Sequence, residues 1–483
     1  MNYLLGIDVG TTGAKAALFD EMGRFIDVAG CEYDLHHPDQ GYVEQNPEDW
    51  WKAVVESTRE VVGRHPETAQ NIVGLGLSSQ GGCTLPIDSE GRPLREAISW
   101  MDVRTKDICE KMSKDPGQEF IYKRTGWSLS VCFMLTQIQW LREHYPDAIE
   151  KASTIFGTLG YTNMKLTGRI ATDPSNAAIT QLFSLKERDW SDELLAYAGV
   201  PRSKMPEIIP SGQPVGKLTA EAAAELGINP NAVLASGGHD QYCAALGCGV
   251  TEPGDCLLSC GTAWVTLPIT QELTLDPAML VSPGVHTVPG LWGLMQSIPV
   301  AGAALRWFRD TFCEGITYAY LSDVASKVSP ASDGMMFIPQ VLGENGFHFC
   351  NATLSHSRDH FARAIMEGIV CRIRQSIDNL RSMGAPVNRL VMIGGGAKSI
   401  VWPQIATDLT GIVTDMPAVS EAACRGAAML GGLAAGLYSD FKDVQKHFAM
   451  ESKRVEMSHE NRAIYNTLYE QFIRYVEQLG SGS

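Results

Sequence analysis

The first clearly patterned stretch of the chain is Leu4-Leu5-Gly6-Ile7-Asp8-Val9-Gly10-Thr11-Thr12-Gly13-Ala14-Lys15-Ala16-Ala17-Leu18-Phe19. Two apolar runs flank a tight Gly/Thr turn, a pattern typical of a β-hairpin. We therefore predict strands over residues 4–8 and 14–19, and a third strand over Phe25–Glu32 that extends the hairpin into a meander. Asp8 ends the first strand, directly before the turn.

A second hairpin has the same layout. Residues 256–260 and 263–267 are apolar and flank a Gly261-Thr262 turn. The two hairpins share little sequence identity, so the repeat is one of pattern. A chain of 483 residues exceeds what a single hydrophobic core usually supports. The sequence therefore predicts two domains.

Three further strands run into glycine-containing turns. Residues 72–78 lead to Gly81-Gly82, residues 233–240 contain a double glycine before Asp240, and residues 389–393 lead to Gly394-Gly395-Gly396. We expect helices after the last two turns, over residues 241–246 and from about Ser399.

Helical segments are also predicted elsewhere. Asn46 and Pro47 suit the N-cap and first position of a helix. Residues 105–200 are expected to be mostly helical with a loop at 172–175, and residues 461–479 carry apolar positions at helical spacing.

Composition narrows the class of protein. Hydrophobic residues make up 45% and charged residues 19%, as in an ordinary globule. The net charge of −16 argues against a nucleic-acid partner, which usually requires a basic face. No apolar run reaches the roughly 18 residues that span a bilayer, so no membrane association is expected.

Twelve scattered cysteines without a CxxC pair indicate reduced thiols, and the N-terminus has no signal-peptide pattern, so we expect a cytoplasmic protein.

The glycine turns are candidate phosphate sites, because glycine lets several backbone N–H groups approach phosphate oxygens. Two common nucleotide motifs do not fit. Ala397 stands before Lys398, where a Walker A loop requires glycine, and the last glycine of GxGxxG is missing from the same segment. A nucleotide would therefore bind by another scheme. Taken singly, each turn is equally compatible with a structural turn.

Asp8 and Asp240 each end an apolar strand beside a glycine. A structural role as a turn or helix cap is the alternative for either residue. Their shared position next to phosphate-type turns favours a division of labour. One carboxylate would hold the hydration shell of a metal ion, and the other would accept a proton from an attacking hydroxyl.

Seven further motifs follow the first hairpin in a recognisable order. They are Gly41-Tyr42-Val43-Glu44-Gln45 with Glu48-Asp49-Trp50-Trp51, Trp100-Met101-Asp102-Val103-Arg104, Lys165-Leu166-Thr167-Gly168, Gly237-Gly238-His239-Asp240-Gln241, Gly261-Thr262, Gly394-Gly395-Gly396-Ala397 and Glu421-Ala422-Ala423-Cys424-Arg425-Gly426-Ala427-Ala428. With them the whole chain resembles the FGGY carbohydrate kinases, in the xylulokinase-like branch of the actin/hexokinase/Hsp70 superfamily.

The resemblance implies an α/β protein of two RNase H-like (actin-like ATPase) domains with a cleft between them. Residues 1–246 would bind the sugar and carry the catalytic base, and residues 247–483 would bind ATP. Closure of the domains would exclude water. The resemblance implies ATP and Mg²⁺ as cofactors and a small sugar or polyol as the substrate. A homodimer is the assembly considered.

The resemblance also assigns roles to individual residues. Asp240 looks like the catalytic base and a metal ligand, and Asp8 like the carboxylate that holds Mg²⁺ through water. The substrate would be bound by Gln80, Trp100, Asp102, Arg104 and Gln241. ATP would be contacted by Thr11, Thr12, Gly261, Thr262, Gly394, Gly395, Gly396 and Ser399. The alternatives are a core position for Trp100 and a surface ion-pair role for Arg104.

Departures from the family pattern bear on the substrate. Glycerol kinases carry Arg-Glu, and xylulokinases Met-His, where this chain has Gly81-Gly82. The Gly-Glu-Arg-x-Pro motif of the family stands here as Gly343-Glu344-Asn345-Gly346. We expect phosphorylation of a pentulose of the xylulose or ribulose type. Another polyol, a tetritol, a hexulose or a sugar acid is the alternative substrate, and a non-catalytic sugar sensor or actin-like assembly protein is the alternative class.

Overall fold

The computed structural model describes residues 1–339 and 346–480. Most of the Gly343-Glu344-Asn345-Gly346 motif and the terminal Ser481-Gly482-Ser483 lie outside these residues. The chain forms two compact units. Unit 1 comprises Met1–Thr251, Gln271–Gly293 and Ser420–Ala449, and unit 2 comprises Glu252–Thr270, Leu294–Val419 and Met450–Ser483. The division into functional domains at 1–246 and 247–483 stays a prediction.

Short strands are distributed along the chain. They are β1 (Tyr3–Val9), β2 (Gly13–Asp20), β3 (Phe25–Glu32), β4 (Glu44–Gln45), β5 (Ile72–Ser79), β6 (Leu85–Ile87), β7 (Ala97–Ile98), β8 (Thr154–Phe156), β9 (Ala171–Thr172), β10 (Phe183–Ser184), β11 (Asp189–Trp190), β12 (Glu207–Ile208), β13 (Pro214–Lys217), β14 (Val233–Ala235), β15 (Gly238–His239), β16 (Asp255–Cys260), β17 (Trp264–Thr270), β18 (Ser282–Val285), β19 (Trp292–Ile298), β20 (Met336–Pro339), β21 (Phe347–Cys350), β22 (Arg389–Gly394), β23 (Thr414–Pro417) and β24 (Ser452–Val455).

Helices alternate with these strands. They are α1 (Pro47–Arg64), α2 (Lys106–Met112), α3 (Gln118–Thr125), α4 (Met134–His144), α5 (Pro146–Lys151), α6 (Thr158–Thr167), α7 (Pro174–Ala178), α8 (Asp192–Ala198), α9 (Ala220–Leu226), α10 (Asp240–Gly247), α11 (Ala301–Phe312), α12 (Tyr318–Lys327), α13 (Arg358–Ser382), α14 (Trp402–Thr410), α15 (Ala422–Ala434), α16 (Phe441–His447) and α17 (His459–Gly480).

Both units are built on a mixed sheet, and the central pattern is the same in each. In unit 1 the strand order is β13-β14-β5-β1-β2-β3, with β1 antiparallel to β2 and parallel to β5. In unit 2, β19-β17-β16-β22-β23-β24 are neighbours, with β16 antiparallel to β17 and parallel to β22. The predicted α/β class and the repeated hairpin are confirmed.

Close packing of α15 onto the sheet of unit 1 depends on glycine. A Cβ on Gly6 would lie 1.8 Å from the Cys424 carbonyl oxygen, and a Cβ on Gly76 would lie 1.8 Å from that of Ala427. Only residues without a side chain let the helix backbone reach the strands at this distance. This contact fixes β1 and β5, the two strands that end at the candidate site.

Most predicted elements are confirmed, and two differ. Asn46 caps α1 through a 3.1 Å bond from the Glu48 amide, as its position predicts. The loop expected at 172–175 is partly wrong, because Asp173 caps a short helix that begins at Pro174. The helix expected from Ser399 begins three residues later, at Trp402, after a turn in which the Ser399 hydroxyl accepts bonds from the Val401 and Trp402 amides.

Candidate active site

Asp8 lies near the end of β1, where the register pairs it with Lys15 of β2 and Ser78 of β5. The Ser78 hydroxyl donates a 2.6 Å hydrogen bond to Oδ1 of Asp8. Burial and the negative charge of Asp240 nevertheless raise the pKa of Asp8 to about 6. The two strand-end carboxylates are therefore electrostatically coupled within unit 1.

Asp240 begins α10, directly after β15. Its Oδ1 atom is buried and has no hydrogen-bond partner among the described residues. It lies 3.2 Å from Nδ1 of His239, and that nitrogen accepts a 3.4 Å bond from the Gln241 amide. Oδ1 of Asp240 is thus a free acceptor in a partly buried position.

Thr11 and Thr12 form the turn between β1 and β2. The Thr11 hydroxyl accepts a 3.0 Å bond from the Trp100 indole N–H, and the Thr12 side chain is exposed. The Gly10 amide donates to the Gly13 carbonyl across the turn at 2.9 Å. The turn is therefore fixed on one side by Trp100 and open on the other.

A second charged pair lies beside the same turn. The Lys15 ammonium group is 2.9 Å from a carboxylate oxygen of Glu421, just before α15. The positive charge of Lys15 acts to lower the pKa of Asp8, and the negative charge of Glu421 acts to raise it. Sequence reasoning assigned no role to either residue, because 406 positions separate them in the chain.

The predicted substrate residues Gln80 and Trp100 lie close to this turn. The backbone amide of Gln80 donates to the Val9 carbonyl at 2.9 Å, and 4% of the residue is exposed. The core alternative for Trp100 is wrong, because 43% of the residue is exposed. Gly82 has a φ of +76° and a Cβ there would lie 2.8 Å from the Trp100 Cβ.

Asp102 and Arg104 form a buried ion pair. Arg104 Nη2 lies 2.8 Å from Oδ2 of Asp102 and Nη1 lies 2.7 Å from Glu44. The guanidinium group also packs on the rings of Tyr42 and Trp140, at 3.9 and 4.7 Å from their centroids. Asp102 is fully buried, and its Oδ2 also accepts a 2.6 Å bond from the Val43 amide. Their predicted contact with substrate stays a prediction, and the observed contacts support the loop that carries Trp100.

Unit 2 contains a cavity of about 510 Å³. Its lining includes five of the predicted ATP contacts, Gly261, Thr262, Gly395, Gly396 and Ser399. The aromatic and polar residues Trp264, Arg306, Tyr318, Ser322, Lys398 and Trp402 also line it. A cavity of this size fits a nucleotide.

The hairpin turn of unit 2 meets the start of α11. A Cβ on Gly302 would lie 2.1 Å from the Gly261 carbonyl oxygen, so glycine is required for this approach. The Ala303 amide donates to the Thr262 carbonyl at 2.9 Å, and Arg306 Nη2 donates to the Thr262 hydroxyl at 2.5 Å. Arg306 was missed in the sequence, because only the structure brings α11 onto the Gly261-Thr262 turn.

The third glycine turn closes the other side of the cavity. Gly394 ends β22 with a φ of +86°, and a Cβ there would lie 2.8 Å from the Cys260 carbonyl oxygen. The Ser399 and Ser322 hydroxyls are 2.7 Å apart. Trp264 and Trp402 pack with ring centroids 4.5 Å apart beneath the turn.

Two units that each carry this mixed sheet, with glycine turns at the strand ends, define a two-lobed α/β kinase fold. The family model described as "FGGY family of carbohydrate kinases, N-terminal domain" matches residues 3–247, and the corresponding C-terminal domain matches residues 256–435. The chain belongs to the FGGY family of carbohydrate kinases.

Relatives with different substrate names are similar over almost the full length. A xylulose kinase of Staphylococcus xylosus is 30% identical, with 97% of this chain and 98% of the relative covered. A gluconokinase of Bacillus licheniformis is 29% identical, with 98% and 95% covered. A glycerol kinase of Bordetella parapertussis is 31% identical, with 91% and 90% covered. The crystal structure of a xylulose kinase from Rhodospirillum rubrum is 26% identical, with a TM-score of 0.92 and 99% of both chains covered.

The chain is therefore an ATP-using enzyme that phosphorylates a sugar or polyol. Within the described residues, which include all twelve cysteines, no disulfide is formed, as expected. Within residues 1–339 and 346–480, no helix is long and apolar enough to cross a membrane. The same part of the chain contains no cluster of three or more His, Cys, Asp or Glu side chains arranged to hold a metal ion.

Proposed function

We propose that the protein transfers the γ-phosphoryl group of ATP to one hydroxyl of a pentulose of the xylulose or ribulose type. The observation that carries this proposal is the free, buried Oδ1 atom of Asp240 at the start of α10. A general base requires such an acceptor within reach of the hydroxyl that attacks the phosphorus. The substrate names of the two xylulose kinases favour a pentulose.

Asp240 acts as the general base in this proposal. Its Oδ1 accepts the proton of the attacking hydroxyl as the oxygen–phosphorus bond forms, and ADP leaves with the electrons of the broken bond. The nearby His239 ring cannot serve as the primary acceptor, because its Nδ1 already accepts a bond from the Gln241 amide. Gln241 follows Asp240 on the same helix and would contact the sugar.

The cavity of unit 2 holds ATP in this proposal. The glycine turns at Gly261 and Gly395 offer backbone N–H groups to phosphate oxygens without steric hindrance. The Thr262 hydroxyl contributes a further contact, and Arg306 supplies positive charge beside it. Charge-assisted bonds of this kind stabilise the transferring phosphoryl group.

Asp8 is the proposed carboxylate behind Mg²⁺. Mg²⁺ is commonly held by one or two carboxylates together with substrate phosphates and water. A single strand-end carboxylate whose Oδ1 is already bonded to Ser78 fits that scheme, with Asp8 acting largely through water. When bound, the ion would neutralise phosphate charge. Ser78 orients Asp8, and Lys15 and Glu421 balance the charge around it.

The neighbourhood of Gly81-Gly82 favours a neutral substrate. Gln80 and Trp100 offer an amide and an indole beside the turn, and neither carries charge. The guanidinium nitrogens of Arg104, the cation predicted to contact the substrate, all donate hydrogen bonds to Asp102 and Glu44. A sugar acid would need a free cation for its carboxylate, so we favour a ketose over a gluconate-type acid.

A coupled assay for ADP release tests the proposal. Purified protein is supplied with Mg²⁺, ATP and one of xylulose, ribulose, fructose, erythritol, gluconate or glycerol, and the product is identified by mass spectrometry. Highest catalytic efficiency on a pentulose supports the proposal. A preference for gluconate would overturn the substrate assignment, and equal turnover by the Asp240→Asn variant would overturn the role of Asp240.

A further inference from the structure

A chain of two hydrogen bonds fixes which end of the Gln80 side chain is available to a ligand. It begins at Gln45 in β4, which is 1% exposed. Gln45 Nε2 lies 2.8 Å from the backbone carbonyl oxygen of Thr11. A carbonyl oxygen can only accept, so this end of the Gln45 amide must be its NH₂ group.

The opposite end of Gln45 must then be its oxygen. Gln45 Oε1 accepts bonds from Gln80 Nε2 at 3.0 Å and from the Cys83 thiol at 3.4 Å. Gln80 therefore uses its own NH₂ group toward Gln45. The orientation of both side-chain amides follows from the Thr11 carbonyl oxygen, which can only accept.

Gln80 Oε1 is consequently left as a buried acceptor without a partner among the described residues. The neighbouring buried amide of Gln137 is different, since its oxygen accepts from the Thr84 hydroxyl and its nitrogen donates to the Ser99 carbonyl. Most buried polar atoms have a partner, and an unpaired one disfavours the folded state.

An unpaired amide oxygen is not by itself a binding site, because Asn163 has one as well. Position distinguishes Gln80 from Asn163. Gln80 follows β5 directly, and its backbone N–H donates to the carbonyl oxygen of Val9, at the end of the strand that carries Asp8. Asn163 lies inside α6 and donates to the Ala171 carbonyl.

We propose that Gln80 Oε1 accepts a hydrogen bond from one hydroxyl of the sugar, and that Gln45 is the positioning residue that holds Gln80 in this orientation. The inference rests on the proposed function and deepens it by naming the chemistry of one subsite. The subsite takes a hydrogen-bond donor and rejects a keto or carboxylate oxygen at the same place, because two acceptors facing each other repel.

A buried water is the competing occupant. A cavity of about 20 Å³ lies beside Gln80, lined also by Gly81 and Thr158. That volume holds about one water molecule. The experiment must therefore distinguish a hydroxyl of the substrate from a permanent water.

Substrate analogues make that distinction. The kcat/KM of the best sugar is compared with those of its monodeoxy and monodeoxyfluoro analogues, position by position, in the wild type and in Gln80→Met, Gln45→Met and the control Asn163→Leu. Fluorine replaces a hydroxyl in size but cannot donate a hydrogen bond. At one position the wild type should lose at least about tenfold with both analogues, since a buried acceptor is left unpaired.

The variants then distinguish the role of Gln80 from that of Gln45. Gln80→Met should remove the discrimination at that position, and Asn163→Leu should preserve it. Gln45→Met should free the Gln80 amide to turn its NH₂ group toward the ligand, so that the fluoro analogue becomes better than the deoxy analogue. A merely structural role of Gln45 would lower all kcat/KM values without changing their order.

Three outcomes would overturn the proposal. Discrimination that is unaltered by Gln80→Met at every position means that the acceptor faces a water. A fluoro analogue that is as good as the parent sugar at the affected position means that Gln80 donates. Failure of the wild type to phosphorylate any sugar of the panel would remove the proposed function and this inference with it, whereas the first two outcomes leave the proposed function intact.

Discussion

The Ser78 hydroxyl donates a 2.6 Å hydrogen bond to Oδ1 of Asp8, across the parallel strands β5 and β1. This bond acts to lower the pKa of Asp8, and burial together with the charge of Asp240 acts to raise it. The raising effects are larger, and the pKa of Asp8 lies at about 6. The site therefore keeps a carboxylate whose ionisation the folded state disfavours.

This balance predicts that Asp8→Asn stabilises the protein. The folded state binds the Asp8 proton more tightly than the unfolded state does. Ionisation of Asp8 therefore lowers the free energy of unfolding. This loss is complete above about pH 6 and absent below the unfolded pKa of 3.8. The free energy of unfolding at pH 7.5 should rise by about 1–2 kcal/mol, and the gain should shrink between pH 6 and pH 4. Urea titration in EDTA measures it.

Asp27 provides a control of opposite sign. The Val28 amide and the neighbouring His65 and Arg64 lower the pKa of Asp27. Its contribution to stability is present above the unfolded pKa and is lost as the pH falls. Asp27→Asn should therefore weaken the fold at pH 7.5. A destabilised Asp8→Asn protein would contradict the assigned direction of the Asp8 pKa shift.

Asp240→Asn should keep the fold and ATP binding and lower kcat by roughly 10²–10⁴, the usual effect of a positioned general base. Asparagine has nearly the same shape but cannot take the hydroxyl proton. Asp192→Asn is the matched control, because Asp192 also begins a helix and is exposed to solvent. Steady-state kinetics and ATP titration decide it, and a variant with more than half of wild-type kcat would contradict the role of Asp240.

Thr262→Val should weaken ATP binding by about 1.5–3 kcal/mol and leave sugar binding nearly unchanged. Valine retains the shape of threonine and removes the hydroxyl that Arg306 contacts in the cavity of unit 2. Isothermal titration with each ligand separately is the measurement. Thr353→Val, at an exposed threonine that contacts Ser355, is the control. Weaker sugar binding with unchanged ATP affinity would assign this hairpin to the wrong ligand.

Asp102→Ala should destabilise the protein by about 3–5 kcal/mol, because it leaves Arg104 buried with one carboxylate fewer. Selectivity among sugars should fall as well, since the pair supports the loop of Trp100. Urea denaturation and kcat/KM on two pentuloses provide the two readouts. Asp147→Ala removes an exposed partner of Lys151 and should change stability by less than about 1 kcal/mol. Unchanged stability in Asp102→Ala would contradict the role of the buried pair.

Local signals were sufficient for much of this structure. The hairpins, the Asn46 cap and the strand before Asp240 depend on alternation, turn residues and capping chemistry within a few positions. The two carboxylates were predicted because each ends an apolar strand beside glycine. The glycine turns of unit 2 were predicted as phosphate sites because glycine exposes backbone N–H groups, and five of the ATP contacts that the family resemblance implied line one cavity.

Contacts between distant segments could not be predicted in this way. The burial of Arg104 depends on Glu44, Tyr42 and Trp140, which no local pattern connects to it. The assignment of Gln271–Gly293 and Ser420–Ala449 to unit 1 also depends on tertiary packing. The amide chain from Thr11 to Gln80 is of the same kind, since its polarity requires the fold to bring two side chains and the Thr11 backbone carbonyl together.

The last prediction concerns glycerol. Gly81 and Gly82 lack the polar side chains with which glycerol kinases are expected to bind their substrate, so glycerol should be phosphorylated with a kcat/KM at least about tenfold below that of the best pentulose. Gly82 also has a positive φ, and a Cβ there would press on Trp100. Gly82→Ala should therefore displace Trp100 and lower kcat/KM for pentuloses more than for the smaller glycerol. Gly227→Ala is the control, because Gly227 has a φ of +72° but no neighbour within 4 Å of an added Cβ. Kinetics on xylulose, ribulose, erythritol and glycerol for the three proteins measure the effect. Efficient use of glycerol by the wild type, or equal losses in both variants, would show that the space at Gly81-Gly82 does not determine the substrate.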